Sequence, residues 1–207
     1  MLNCSLAKCD GFSKVLIEKT EKRLGFALPQ VLRDFYLILG NNERFSQSFS
    51  RFIWPADLEL VHEKLIFLEE NQGVCFWAID LKEFNNHNFT VYQTPTDGEF
   101  FSEHVDLKEF IRINLYYQLA QGGYAHCGTI DVENEPKLAP VLQLLATDKA
   151  WQKVVSHNHL VIYCNKNQLI WYLTNQDGDI HELIFASTML KKDLNTLIRH
   201  YGFSDLG

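Results

Sequence analysis

The first forty residues alternate apolar and polar positions with helical spacing. Residues 12–24 predict an amphipathic helix that ends at Gly25, because glycine readily adopts the left-handed conformation found at helix C-termini. Pro29 suits the first turn of a second helix, where a missing N–H costs nothing. The apolar residues that recur at three- and four-residue spacing in this second helix are Val31, Leu32, Phe35, Tyr36 and Leu39. The segment 40–42 ends it, so two N-terminal helices are expected.

The pattern then changes to short apolar runs that are typical of strands. Residues 65–70 and 74–79 flank Asn71-Gln72-Gly73 and predict a β-hairpin. Residues 89–93 predict a third strand, and a short fourth strand begins at Phe100. Asp106 can cap a helix over about 107–120, whose apolar positions again follow helical spacing. Residues 43–51 are interpreted as a polar loop and residues 55–58 as a short turn or the start of a helix.

The second half of the chain repeats this kind of organisation without repeating its side chains. Gln121-Gly122-Gly123 interrupts the preceding helix, and Pro136 and Pro140 bracket the start of the next one. The apolar runs 159–164, 169–173 and 180–185 are separated by tight turns and predict a three-strand meander. A last helix is expected over 188–201.

Strands therefore come in hairpins, and helices lie apart from them along the chain. This order predicts an α+β fold: an antiparallel β-sheet of hairpins and meanders, with N-terminal helices and further helices packed against it. The segment 121–137 is the only plausible boundary, and a single domain over residues 1–207 is expected.

Composition narrows the class of protein. Of 207 residues, 46% are apolar, which is too many for a disordered chain. No apolar run approaches the roughly 18 residues of a membrane helix, and the first residues lack the apolar core of a signal peptide. The five cysteines are odd in number and scattered, as is typical of reduced thiols. We expect a cytoplasmic protein that neither enters a membrane nor is secreted.

The negative charge is unevenly distributed along the sequence. Residues 57–135 hold 15 Asp and Glu against four Lys and Arg, a net charge of −11, whereas the remainder holds 11 acids and 15 bases, a net charge of +4. An acidic protein is a poor match for nucleic acid, which binds clustered Lys and Arg. A field of one sign can steer a basic protein partner, although a solvated surface that keeps the protein soluble explains the charge equally well.

Candidate chemistry is sparse. His157, His159, Cys164 and His181 lack the spacing of a metal site, and Cys75 or Cys127 beside His126 would make a weak Cys–His pair. Cys127 is expected in a glycine-rich loop, which contains Gly128. The adjacent Glu69 and Glu70 point to opposite faces of a strand and cannot form a catalytic dyad; hydrogen bonding at the turn and a negative face are their expected roles. The prediction is therefore no catalytic residue, no cofactor and no metal.

Several motifs in order resemble the SUKH superfamily, which contains Smi/Knr-type cell-wall synthesis regulators of fungi and bacterial immunity proteins. The matching segments are 18–29, 32–36 with Gly40-Asn41, 53–58, 67–79 and 107–111. The resemblance covers roughly residues 10–120. Residues 136–207 carry no assigned motif and are expected to be an extra strand–helix region of the same domain.

The resemblance implies a non-enzymatic protein-binding module, an immunity protein that binds and neutralises a toxin, with a nuclease as the expected type, through an acidic face. A regulatory or scaffold protein of the cell-wall synthesis type is the alternative, and an undetected hydrolase or metal enzyme is third. The expected partner is a basic protein, a toxin domain. The candidate partner-binding residues are Trp54, Asp57, Glu59, Glu69, Glu70, Asn71, Asp97 and Glu99.

Overall fold

The computed structural model describes residues 10–83, 89–95 and 98–207, which divide into two compact units. The N-terminal unit ends at Gln118 and the C-terminal unit begins at Leu119. Each unit contains one antiparallel sheet and its own helices, so the predicted α+β class is confirmed, with two sheets in place of one. The division falls just before the predicted boundary segment 121–137; the single domain over 1–207 stays a prediction.

The N-terminal unit contains four α-helices and six strands among its described residues, with short 3-10 helices at Pro55–Asp57 and Leu81–Glu83. The α-helices and strands are α1 (Lys14–Leu24), α2 (Gln30–Ile38), α3 (Glu43–Ser46), β1 (Arg51–Phe52), β2 (Glu59–Val61), β3 (Lys64–Glu69), β4 (Cys75–Asp80), β5 (Thr90–Pro95), β6 (Phe101–Asp106) and α4 (Leu107–Gln118). The predicted helices and the β3–β4 hairpin are confirmed. The polar loop over 43–51 is wrong, because α3 and β1 lie there.

Local capping explains where these helices begin and end. The Ser13 side chain accepts a hydrogen bond from the backbone of Leu16, and Gly25 ends α1 with a φ of 84°. At α4, the Asp106 carboxylate accepts from the Glu109 N–H at 2.8 Å, which confirms the predicted cap. Asn42 caps α3 in the same way, through the Arg44 N–H at 3.1 Å. This cap is the signal that the interpretation of 43–51 as a loop missed.

The sheet of the N-terminal unit has the order β1-β3-β4-β5-β6, and β2 pairs with β3 beside β1. One face packs against the helices and forms the core. Its fully or almost fully buried apolar residues include Ile17, Leu32, Tyr36, Phe52, Leu65, Phe67, Leu68, Ile79, Val91 and Phe110. Burying a side chain of this size contributes about 1.5–3 kcal/mol.

Strand β3 contains a bulge that decides which residues face away from this core. Ile66 pairs with Ala78, whereas Leu68 pairs with Trp77, so Phe67 has no partner in β4. Glu69 then pairs with Phe76. Because paired residues share a face, and Phe76 and Ala78 are two apart, Ile66 and Glu69 lie on the same face although they are three apart.

The C-terminal unit holds β7 (His126–Asp131), α5 (Glu135–Thr147), β8 (Gln152–His157), β9 (Leu160–Asn165), β10 (Gln168–Thr174), β11 (Ile180–Thr188), α6 (Lys191–Tyr201) and β12 (Ser204–Asp205). Its sheet has the order β12-β7-β11-β10-β9-β8. The predicted meander is confirmed as β9, β10 and β11, and the two predicted helices as α5 and α6. Strands β7, β8 and β12 were not predicted.

Candidate functional site

The face of the N-terminal sheet that points away from the core carries the candidate site. Cross-strand pairing arranges its side chains in three rows. These rows are Glu69-Phe76-Thr94, Glu59-Ile66-Ala78-Tyr92 and Val61-Lys64-Asp80. This face therefore mixes charged and apolar residues, whereas the core face carries mainly apolar ones.

A groove of about 410 Å³ lies on this face. It is lined by Ile53, Glu59, Val61, His62, Ile66, Phe76, Thr94, Pro95, Gly98 and Phe100. Its volume lies within the range of about 300–1,000 Å³ that is typical of binding sites. Among the described residues that line it, Glu59 is the only carboxylate, and no lysine or arginine is present.

The segment beside the groove is held firmly by hydrogen bonds from the helices. Tyr36 donates its hydroxyl to the Ile53 carbonyl at 2.6 Å, and burial raises the pKa of that hydroxyl, so it remains a donor. The Thr20 hydroxyl donates to the Pro55 carbonyl at 2.9 Å, and the Arg23 guanidinium donates to the Leu58 carbonyl at 2.8 Å. The segment 53–58 is therefore a fixed wall.

Apolar side chains are exposed along this wall and on β2. Trp54 is 52% exposed and contacts the ring of Phe12 at 6.2 Å between centroids, and Leu60 and Val61 are also exposed. Trp54 is the only one of the four tryptophans that is exposed in the part of the chain that the structure describes. Aromatic residues such as Trp54 are enriched at protein interfaces.

The lysine nearest the groove is neutralised. The ammonium of Lys64 donates to the Asp80 carboxylate at 2.7 Å and lies 4.5 Å from the Tyr92 ring centroid and 5.1 Å from that of Phe100. The hydrogen bond from Lys64 holds the pKa of Asp80 below its ordinary value. This pair adds no net charge to the face.

The predicted partner-binding residues fall into two groups. Asp57, Glu59 and Glu99 are exposed, and no ion pair joins them to another described residue. Glu59 lines the groove, and Glu99 stands between the lining residues Gly98 and Phe100. These acids supply the uncompensated negative charge beside the groove.

The second group organises the β3–β4 turn. Glu69 forms an ion pair with Arg51 at 3.2 Å, and Arg51 also donates to the Asn71 carbonyl at 3.1 Å. The Glu70 carboxylate accepts from the Gln72 N–H at 2.7 Å. These bonds match the turn role expected for the two glutamates. Asp97 lies outside the described residues.

Sequence reasoning missed the residues that make the groove, among them His62, Ile66, Phe76 and Phe100. Ile66 and Phe76 lie in apolar runs that predict strands but do not reveal the face on which a side chain lies. The pairing of Ile66 with Ala78 and of Glu69 with Phe76 depends on the bulge at Phe67. The bulge has no distinctive residue of its own, such as a glycine, that would signal it.

The predicted Cys–His pairs do not form a catalytic site. Burial raises the pKa of the Cys75 thiol, which accepts a hydrogen bond from Gln93, so its nucleophilic thiolate is disfavoured. Cys127 was expected in a glycine-rich loop; this is wrong, because it lies in β7 with its sulfur 3.8 Å from the Ser187 hydroxyl. His126 precedes it in the same strand and points to the opposite face.

The predicted metal candidates are spread over several elements of the C-terminal unit. His157 ends β8, His159 follows in the turn, Cys164 lies in β9 and His181 in β11. Over residues 10–83, 89–95 and 98–207, no group of three or more His, Cys, Asp and Glu is arranged to hold a metal ion.

None of the helices that the structure describes combines the length and the apolar character needed to span a membrane. Comparison of the chain with protein-family models, with curated proteins and with solved structures found no match. The functional interpretation therefore depends on the groove, its charges and the motif resemblance.

Proposed function

We propose that this chain is a non-enzymatic protein-binding module that binds a basic protein through the open face of its N-terminal sheet. Following the SUKH resemblance, the partner is a toxin, and the chain acts as an immunity protein. The observation that supports the proposal best is the groove: a largely apolar depression lined by Glu59, with Glu99 next in sequence to the lining residues Gly98 and Phe100, and the exposed Trp54 next in sequence to Ile53. Protein interfaces share this anatomy of an apolar centre within a polar rim.

Neutralisation by this face requires no chemical step. A nuclease is basic where it meets the phosphates of nucleic acid, so an acidic protein can occupy that surface and exclude the substrate. The unpaired carboxylates increase the rate of encounter, and the apolar groove contributes to the lifetime of the complex. The two kinds of side chain thus have separable effects on binding.

The first test is to identify a toxin gene beside this gene and to measure direct binding of its product to the chain. We expect a complex of nanomolar Kd, measured by biolayer interferometry, and protection of cells that express the toxin. Absence of a measurable complex and of protection would refute the proposal.

The second test locates the face. Glu59→Lys should slow association with the toxin by about two- to tenfold, because it replaces an attraction with a repulsion near the contact. Glu18→Lys makes the same change of net charge at an exposed position of α1, on the helix side of the unit, and should leave the rate nearly unchanged. Circular dichroism must show both variants folded; equal rates for the two would reject the proposed face.

A further inference from the structure

We infer that the groove is an anchor pocket for one large apolar side chain of the partner, flanked in the partner's sequence by Lys or Arg. The identity of the partner as a toxin rests on the proposed function above. The chemistry of the anchor is argued separately, from the lining, the charges and the rigidity of the groove.

The lining selects an apolar group. Ile66 forms a buried floor with an exposed fraction of 5%, and Ile53, Phe76, Pro95 and Phe100 surround it. An aromatic side chain buries about 150–250 Å² when it is enclosed. The groove volume of about 410 Å³ provides room for one such side chain and part of the backbone next to it.

The acidic residues at the groove favour basic residues on either side of the partner's apolar side chain. Glu59 stands in the groove lining and Glu99 adjoins it, whereas the nearby Lys64 is already paired with Asp80 at 2.7 Å. A lysine or arginine beside the anchor gains attraction at the mouth of the groove. An aspartate or glutamate there meets repulsion that no lysine or arginine among the described lining residues relieves.

The groove is already formed before a partner binds. The Thr94 hydroxyl bonds with the carbonyls of Pro95 at 2.9 Å and Gly98 at 3.2 Å, which holds one wall. On the other side, the Ile53 carbonyl is held by Tyr36 and the Ile53 N–H by the Phe67 carbonyl at 3.0 Å. A preformed site avoids the entropic cost of ordering its walls, so a short segment is enough to bind it.

The test uses three synthetic peptides with blocked ends: Lys-Lys-Trp-Lys-Lys, the same peptide with Ala in place of Trp, and Glu-Glu-Trp-Glu-Glu. Each is titrated into the ¹⁵N-labelled full chain at low salt, and amide chemical shifts are followed by NMR. We expect the first peptide to shift the residues of the groove lining, and the other two to bind at least about tenfold more weakly.

Neighbouring residues of β2 provide matched variants. Val61 lines the groove and Leu60 does not, and both are exposed, so a tryptophan at either position is compatible with folding. Val61→Trp should fill the mouth and weaken binding of Lys-Lys-Trp-Lys-Lys at least about tenfold. Leu60→Trp, which points to the other side of the strand, should change it by less than about threefold.

Several outcomes would overturn the inference: equal binding of the Ala and Trp peptides, equal effects of Val61→Trp and Leu60→Trp, or binding of free indole as strong as that of the peptide. The last result would indicate a small-molecule site. If the toxin complex is weakened by Glu59→Lys but unaffected by Val61→Trp, the anchor pocket is wrong and the proposed function stands. If the peptides bind as expected but no toxin does, the proposed function fails and the anchor chemistry stands.

Discussion

The side-chain amide of Gln118 forms hydrogen bonds with three consecutive residues, 48–50, of the segment between α3 and β1. Gln118, at the end of α4, is 1% exposed. Its amide donates to the Ser50 carbonyl, and its carbonyl accepts from the Phe49 N–H at 2.7 Å and the Ser48 hydroxyl at 3.1 Å. Buried polar groups are costly when unpaired, so this residue stabilises the segment that leads into β1.

Replacement of Gln118 by Leu should therefore destabilise the protein severely. The change leaves the Phe49 N–H and the Ser50 carbonyl without their partners, and we expect a loss of about 2–4 kcal/mol in the free energy of unfolding. Urea denaturation followed by fluorescence measures it. Gln143→Leu, at an exposed position of α5, is the control and should change stability by less than about 0.5 kcal/mol. Similar effects of the two changes would contradict the assignment.

The Lys64–Asp80 pair predicts a pH dependence of stability. The pKa of Asp80 in the folded protein is lower than the ordinary value of 3.8, chiefly because of the hydrogen bond from Lys64. The folded state therefore prefers the carboxylate; the contribution is complete above about pH 4 and is lost as the pH falls through the folded pKa. Between pH 5 and pH 2.5, the wild type should lose more unfolding free energy than either Asp80→Asn or Lys64→Met. Identical losses in all three proteins would show that the pair contributes nothing.

At the scale of elements, long and strongly patterned segments were predictable and short or irregular ones were not. The helix α2 and the β3–β4 hairpin have clear periodicity and turn residues. By contrast, β2 exposes all three of its residues, Glu59, Leu60 and Val61, so no alternation marks it as a strand. β7 contains Gly128, where a Cβ atom would lie 2.9 Å from the Leu194 side chain of α6. Close packing against α6 therefore explains why a glycine lies at position 128, within a strand, where the sequence predicted a loop.

The β8–β9 hairpin carries a strained turn. Asn158 and His159 have φ angles of 42° and 66°, the left-handed conformation that two-residue hairpin turns require. Asn tolerates this conformation and His does so less well, so His159→Gly should stabilise the protein by about 0.5–1 kcal/mol. Thermal unfolding measures the change. Ser156→Gly, in the extended strand β8, is the matched substitution and should lower stability instead. Loss of stability in both variants would mean that the turn is not strained.

For the whole molecule, the structure shows how the negative charge is divided between the two units and which acidic residues are paired with bases. The segment 57–135 crosses the boundary between the units, which carry −5 (residues 6–118, 17 acids and 12 bases) and −2 (residues 119–207, nine acids and seven bases). Within the N-terminal unit, Glu63, Glu69, Asp80 and Glu109 are paired with bases. Sequence counts cannot show this pairing, because three of these four pairs join residues more than fifteen positions apart in the sequence. Asp57, Glu59 and Glu99 are among the partner-binding candidates named from the sequence, and that role stays a prediction; the groove was not foreseen.

This charge distribution predicts how salt affects binding. Raising NaCl from about 0.05 to 0.5 M shortens the screening length from roughly 14 to 4 Å, so the association rate with the basic partner should fall about tenfold. The dissociation rate should change much less, because the groove contacts are apolar. Stopped-flow and dissociation measurements separate the two rates. Val61→Trp should accelerate dissociation and leave the salt dependence of the association rate unchanged. An association rate that does not depend on salt would contradict the proposal that the acidic residues steer the partner.

The bulge at Phe67 has a consequence for how this strand tolerates changes of length. Removal of Phe67 would join Ile66 directly to Leu68 and give a regular ladder in which Glu69 still pairs with Phe76. A related chain could therefore have a β3 that is one residue shorter and keep Ile66 and Glu69 on the open face, although it would lose the buried ring of Phe67 and the carbonyl that accepts from the Ile53 N–H. Its alignment with this chain would require a gap inside an apolar strand, where gaps are least expected, so recognition of such a relative depends on strand pairing more than on sequence similarity.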